Sequence, residues 1–180
     1  MAGRVRVAVS FAYRRHSEFG QALVEFALVS VVLMLLLGSV VEFGFLFGHK
    51  LELGNGARDG ARWASNHSTA WSAAASPPSN TIQGQVLAAG GTGALPNDDS
   101  HLAIDYLAVS GAVQTPCGHF SAAAAAFVAQ AGYTQATCVL PGSLVRVTLT
   151  NTYALVTGLL GAGVGSAVTL KVVAAMPVMT

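Results

Sequence analysis

Residues 20–48 read GQALVEFALVSVVLMLLLGSVVEFGFLFG, and the fold follows from how this stretch is placed. From Phe26 to Val41 it holds no charge, and the apolar character continues past Glu42 to Phe47. That is roughly the 20 residues an α-helix needs to cross a bilayer. Leu33, Leu35, Leu36 and Leu37 favour helix, and the valines among them are well accommodated in lipid. Upstream lie Arg4, Arg6, Arg14 and Arg15, four of the nine basic residues, with nothing acidic before Glu18. The positive-inside bias therefore places residues 1–20 in the cytoplasm as a basic leader and everything after about residue 50 outside. A cleaved secretory signal is the competing reading, because it too begins basic and turns apolar. Its apolar core is normally only about 7–15 residues, whereas here helix-compatible sequence runs on through Leu51, Leu53, Ala57, Ala61 and Ala64.

Composition agrees with an anchored chain. Of 180 residues, 53% are hydrophobic and 9% charged, far from the roughly 25% charged residues of soluble domains. The length allows one ordinary domain beside the helix. With a formal charge of +1 and no basic cluster beyond the leader, no nucleic-acid surface is expected. The five histidines assemble into no nucleophile set, and Arg58 and Arg62, four apart with Asp59 beside them, belong to no catalytic constellation. A non-enzymatic chain is expected, without cofactor, metal or small-molecule substrate.

Glu25 stands at the start of the apolar run, in Gly20-Gln21-Ala22-Leu23-Val24-Glu25-Phe26. A carboxylate beside hydrocarbon is costly, and it either acquires a partner or snorkels to the interface. Glycine, four small or apolar residues, Glu, Phe and a long apolar helix resemble the cleavage motif of type IV prepilins and pseudopilins. With GQALVEFAL at one end and LGNGARDGARWA at the other, the stretch is similar to the TadE/TadG-like family, minor pseudopilins of the tight-adherence (Flp) pilus machinery. The resemblance implies a bacterial inner-membrane protein, N-terminus in, cut by a prepilin peptidase between Gly20 and Gln21. Glu25 becomes the fifth mature residue and, with Phe26, meets a neighbouring pilin subunit. The polar Gln21 departs from the Phe or Met with which such mature chains often begin. The function so implied is pilus assembly, adhesion and surface attachment in contact with other pilins and the inner-membrane machinery. The alternative is an unprocessed, membrane-anchored binding or adhesion domain.

Two features of the helix are read directly. Glu42 lies 17 residues beyond Glu25, about 25 Å along a helix. The two carboxylates therefore share no site, and Glu42 is either a subunit contact or an interfacial residue. Gly44, Gly48, Gly56, Gly60 and Ala64 recur at four-residue spacing, with Glu52 the larger member. Small residues so spaced let helices approach closely, so the glycines are expected to form a subunit contact.

The remainder reads as a small α+β domain. Ser76-Pro77-Pro78-Ser79-Asn80 breaks the chain, dividing a helical unit over 21–75 from an extracytoplasmic domain over 76–180. A short helix is expected over 81–90, and a loop over 91–99, where Asp98 and Asp99 make a solvated turn or a cation site. Strands are expected over 102–109, 144–153 and 168–172, the second because Val145, Val147 and Leu149 alternate with Arg146, Thr148 and Thr150. One apolar face per strand predicts an antiparallel sheet covered on one side by the long helix or by an alanine-rich helix over 121–132, with Pro177 marking an edge or end. Residues 161–165 form a glycine-rich strand connection rather than a nucleotide loop. Cys117 and Cys138 flank the alanine segment, and an even count in an oxidising compartment favours a disulfide over two buried thiols, with zinc weaker still.

Overall fold

The structure is a computed structural model, and it describes residues 16–89, 95–155 and 165–179. Residues 1–15 of the expected leader, 91–94 of the expected loop and most of the glycine-rich connection lie outside the described residues. Helix α1 spans His16–Asn66, so within the stretch 21–75 residues 67–75 are not helical. Then come α2 (Ile82–Ala89), β1 (Leu102–Ser110), β2 (Val113–Ser121), β3 (Ala126–Ala129), α3 (Gln135–Cys138), β4 (Leu144–Ala154) and β5 (Ala167–Pro177). The strands form one antiparallel sheet in the order β3-β2-β1-β4-β5. The expected α+β architecture, a long apolar helix leading to a small domain with an antiparallel sheet, is the one found.

The alternation in β4 sets the layers. Val145, Val147 and Leu149 are fully buried, and Ile104 and Tyr106 of β1 join them on the same face. Each such aliphatic side chain contributes about 1.5–3 kcal/mol by leaving water. The cover is the second half of α1, through Leu53, Ala57, Ala61 and Ala64, together with Ile82 and Val86 of α2. Spacing of three and four keeps these residues on one helical stripe, and alanines bring the helix backbone close to the sheet. On the opposite face Arg146 Nη2 lies 3.0 Å from Asp105 Oδ2, a cross-strand pair fixed by the β1–β4 register.

Strand β5 climbs beside α1. Its first turn of side chains, at Val168, lies by Leu46, and its end is tied to the top of the helix, where Ser65 Oγ donates to the Pro177 carbonyl at 2.6 Å and Met179 N to the Ser65 carbonyl at 2.7 Å. The lengths agree: Leu46 to Ser65 is about 29 Å of helix, and Val168 to Pro177 about 30 Å of strand. Pro177 both ends the strand and lies on the sheet's edge, where its missing N–H is harmless.

The alanine-rich segment is not a helix. Residues 122–125 turn, and β3 follows, with Phe127 paired to Phe120. Alanine's helical preference amounts to tenths of a kcal/mol per residue over ordinary residues, and tertiary contacts outweigh it. Phe127 fills the space over Gly118, where a Cβ would lie 2.3 Å from the ring, and its ring centroid is 5.8 Å from that of Tyr106. Asp99 fixes the preceding turn, accepting from Ser121 Oγ at 2.7 Å and Ala122 N at 2.6 Å. Asp98 holds its own turn, accepting from Ser100 Oγ and the His101 N–H; the Ser100 hydroxyl and then the His101 ring hold its carboxyl well below the usual carboxylate range. The solvated-turn reading of Asp98 and Asp99 is the one the geometry supports.

Strand β2 escaped sequence reading because Pro116 and Gly118 interrupt it. Between Tyr106 and Leu107 the register shifts, leaving Cys117 as an extra residue on β2, and a bulge is where a strand tolerates such interruptions. At the centre the buried Tyr106 hydroxyl donates to the Ser68 carbonyl, joining the sheet to the chain just beyond α1. Burial pushes its phenol well up. Tyr106→Phe leaves that carbonyl without its donor, and we expect a loss of about 1–3 kcal/mol in urea unfolding monitored by fluorescence. An unchanged midpoint counts against the bond's role.

Candidate functional site

The feature that stands apart from the folded domain is the first half of α1. Every large apolar residue from Leu23 to Val32 is exposed, with Phe26 at 71%, and farther along Met34 reaches 70%. Helix α1 is long and apolar enough over Gly20–Asn66 to cross a membrane, and none of its most apolar window is buried within the chain. A contiguous apolar surface of this length is stable only in lipid or against other apolar helices. By length and composition this helix suggests a single-pass membrane anchor.

At its foot, Gly20 is exposed and has no heavy atom within 4 Å of the position a Cβ would take, so the Gly20–Gln21 peptide is open to close approach. Gln21 Nε2 donates to Glu25 Oε1 at 3.1 Å, one turn away. The Glu25 side chain thus lies along the same face as Gln21. Phe26, next to it, touches solvent rather than core.

Glu42 behaves differently. It is 1% exposed on a helix whose neighbours Val41 and Phe43 are more than half exposed. The end of the β4–β5 hairpin covers it, and the Tyr153 phenol faces its carboxylate. Burial, and then the charge of Glu42, push that phenol above its ordinary pKa. The Tyr153 ring also packs on His49, with centroids 4.9 Å apart, while His49 Nδ1 lies 3.6 Å from Glu52 Oε2. Glu42 and Tyr153 are too distant in sequence for any pattern to reveal the pair. Below them Leu36, Ser39, Val40, Phe43 and Leu46 of α1 face Leu155 and Val168 across an apolar groove of about 450 Å³.

The glycine seam divides in two, which corrects the expectation of one subunit contact along its length. Gly44 and Gly48 have nothing within 4 Å of a would-be Cβ and remain open on the helix. Gly56 and Gly60 are buried inside the chain's own domain. A Cβ on Gly60 would lie 2.2 Å from Val86 Cγ2 of α2 and 3.7 Å from Val147 Cγ1 of β4. The close approach that the seam signalled is real at Gly60, but the partner there is the same molecule.

Cys117 and Cys138 stand at disulfide distance, their Cα atoms 5.5 Å apart. Helix α3 presents Cys138; its Thr134 cap and Thr137 hydrogen-bond reciprocally, which sets the start of this single turn. Among the described residues no three His, Cys, Asp or Glu side chains gather as a metal site. Arg58 and Arg62 are both exposed, and beside Arg62 the Trp63 and His67 rings stack at 4.0 Å.

Residues 20–62 match the family model of the TadE-like proteins. The match takes in Gly20, Glu25, Glu42 and the glycines as far as Gly60, and it ends before α2 and the sheet. It suggests a role in the tight-adherence pilus system. No curated protein and no solved structure matches the chain.

Proposed function

We propose that this TadE-like chain is a non-enzymatic minor pseudopilin, anchored in the bacterial inner membrane with its N-terminus in the cytoplasm and its domain outside. It serves assembly of the tight-adherence pilus, and through it adhesion and surface attachment. The observation that carries the reading is an exposed apolar helix opening on an accessible Gly20, followed by Gln21 and Glu25 within the matched region. A prepilin peptidase cuts after Gly20, removing the basic leader. The new amino group at Gln21 then lies one helical turn from Glu25, and in a bundle of such helices a carboxylate needs a cation to offset its desolvation. Phe26, Gly44 and Gly48 supply the adjoining apolar contact with other pilins or the inner-membrane machinery.

Co-expression with a prepilin peptidase tests this by intact mass. The chain is expected to lose its first 20 residues, and Gly20→Val, which covers the scissile peptide with a branched side chain, is expected to stop the cut. Full-length mass in the presence of a peptidase active on a control prepilin overturns the assignment in favour of an unprocessed anchored domain.

A further inference from the structure

The groove between α1 and the β4–β5 end is at the wrong height for a domain held clear of the membrane. A bilayer core of about 30 Å takes about 20 helical residues. Counted from Leu23, where the exposed apolar surface begins, this ends near Phe43. Leu36, at the deep end of the groove, then lies about 10 Å below the core's outer boundary. Val168 of β5 and Leu155, the residue that follows β4, line the groove with Leu36, Val40, Phe43 and Leu46. Val168, level with Leu46, stands about 5 Å above that boundary, and Leu155, beside Ser166 and about 7 Å lower, reaches about the boundary itself. The hairpin end meets the bilayer interface, not bulk water.

Three observations make that depth physically admissible. First, from Asn151 through Leu170 the sequence carries no charge. Second, the ladder is closed to its end: Tyr153 pairs with Val168, Ala154 with Ala167, and Leu155 N donates to the Ser166 carbonyl at 3.1 Å. Backbone groups facing each other across the hairpin are satisfied, which lowers the cost of approaching lipid, while the outer edge of β5 keeps the contact at the interface rather than in the hydrocarbon. Third, Lys171 is the first cation along β5 and stands three residues beyond Val168, about 10 Å higher, clear of the hydrocarbon. The same arrangement removes Glu42 from lipid, because the hairpin end buries a carboxylate the helix alone would leave in hydrocarbon.

We infer that the β4–β5 end is a second membrane contact: Leu155 and Val168 sit at the bilayer interface on the domain's side, and the ends of phospholipid acyl chains fill the deep part of the groove against Leu36, Val40 and Phe43. The domain is thereby seated on the bilayer in one orientation, with the β1–β2 hairpin at its far end. This rests on α1 spanning the membrane, though not on cleavage at Gly20.

Nitroxide labels at Leu155→Cys or Val168→Cys, with the native disulfide kept, test it in vesicles of phosphatidylethanolamine and phosphatidylglycerol. Power saturation compares collisions with oxygen, which concentrates in lipid, and with a water-soluble nickel chelate. Leu33→Cys serves as the core reference and Val113→Cys, 63% exposed in the parent at the far hairpin, as the aqueous one. We expect the Leu155 label to be in contact with lipid, with oxygen accessibility several-fold above that at Val113, and the Val168 label to fall between Leu155 and Val113. Groove labels resembling Val113 while Leu33 reads as lipid overturn the seating and leave the anchor intact. A Leu33 label that reads as aqueous overturns both.

Discussion

Gly60→Leu is expected to unseat α1 from the domain and lower its stability by about 3 kcal/mol. Gly60 is where three elements meet: a β-carbon there already lies 2.2 Å from Val86 of α2, and Val147 of β4 stands behind it. Valine is stiff at χ1, so Val86 has little freedom to turn aside. Relief requires α2 or the sheet to move away from the helix, breaking contacts that fully bury Ile82, Ile104 and Val145. For a domain of about 100 residues, 3 kcal/mol corresponds to a melting point lower by roughly 12 °C or more. Gly48→Leu is the matched control, since nothing lies within 4 Å of that position. It is expected to leave thermal unfolding in detergent unchanged and to act, if anywhere, on cross-linking to a partner helix. Equal melting points for Gly60→Leu and the parent contradict the packing described.

Loss of the Cys117–Cys138 bridge is the second large effect. The two residues are separated by 21 positions, and closing a loop of that size stabilises by about 3 kcal/mol in the chain-entropy model. The native geometry favours the full value, because the bulge that makes Cys117 an extra residue turns it into the core, and α3 carries Cys138 to meet it. Both cysteines are almost wholly buried. Guanidinium unfolding of the detergent-solubilised protein, with and without reductant, measures the effect. The midpoint is expected to fall on reduction, and the Cys117→Ala/Cys138→Ala double variant to match the reduced parent. Coincident curves with and without reductant show that the bridge adds nothing.

These residues also show how far one-dimensional reading reaches. The apolar run from Phe26 to Phe47 demanded a long helix, since no other element satisfies its backbone in lipid. The alternation of Val145, Val147 and Leu149 demanded a strand covered on one face. Both rest on local periodicity, and both hold. The segment over 121–132 was misread because its seven alanines favour helix while its strand comes from Phe127 filling the gap over Gly118, a contact written nowhere in the local pattern. The regular spacing of Gly44, Gly48, Gly56 and Gly60 signalled close approach correctly, but spacing does not tell an outside helix from the chain's own α2.

The candidate site divides the same way. The spatial relation of Gly20, Gln21, Glu25 and Phe26 was legible because they lie within two turns of one helix and that relation depends only on its pitch. The setting of Glu42 was not, because Tyr153 reaches it from a strand formed more than a hundred residues later. By itself, then, the order of residues determined the apolar helix, the carboxylate at its foot, the even cysteine pair and the one-sided strands, all consequences of short-range geometry and solvent preference. Only the tertiary structure decided which glycines the domain consumes, which remain open along the helix, and that the β4–β5 end descends over Glu42. Those outcomes depend on which distant surfaces fit together, and the fit is settled by packing among all the elements at once.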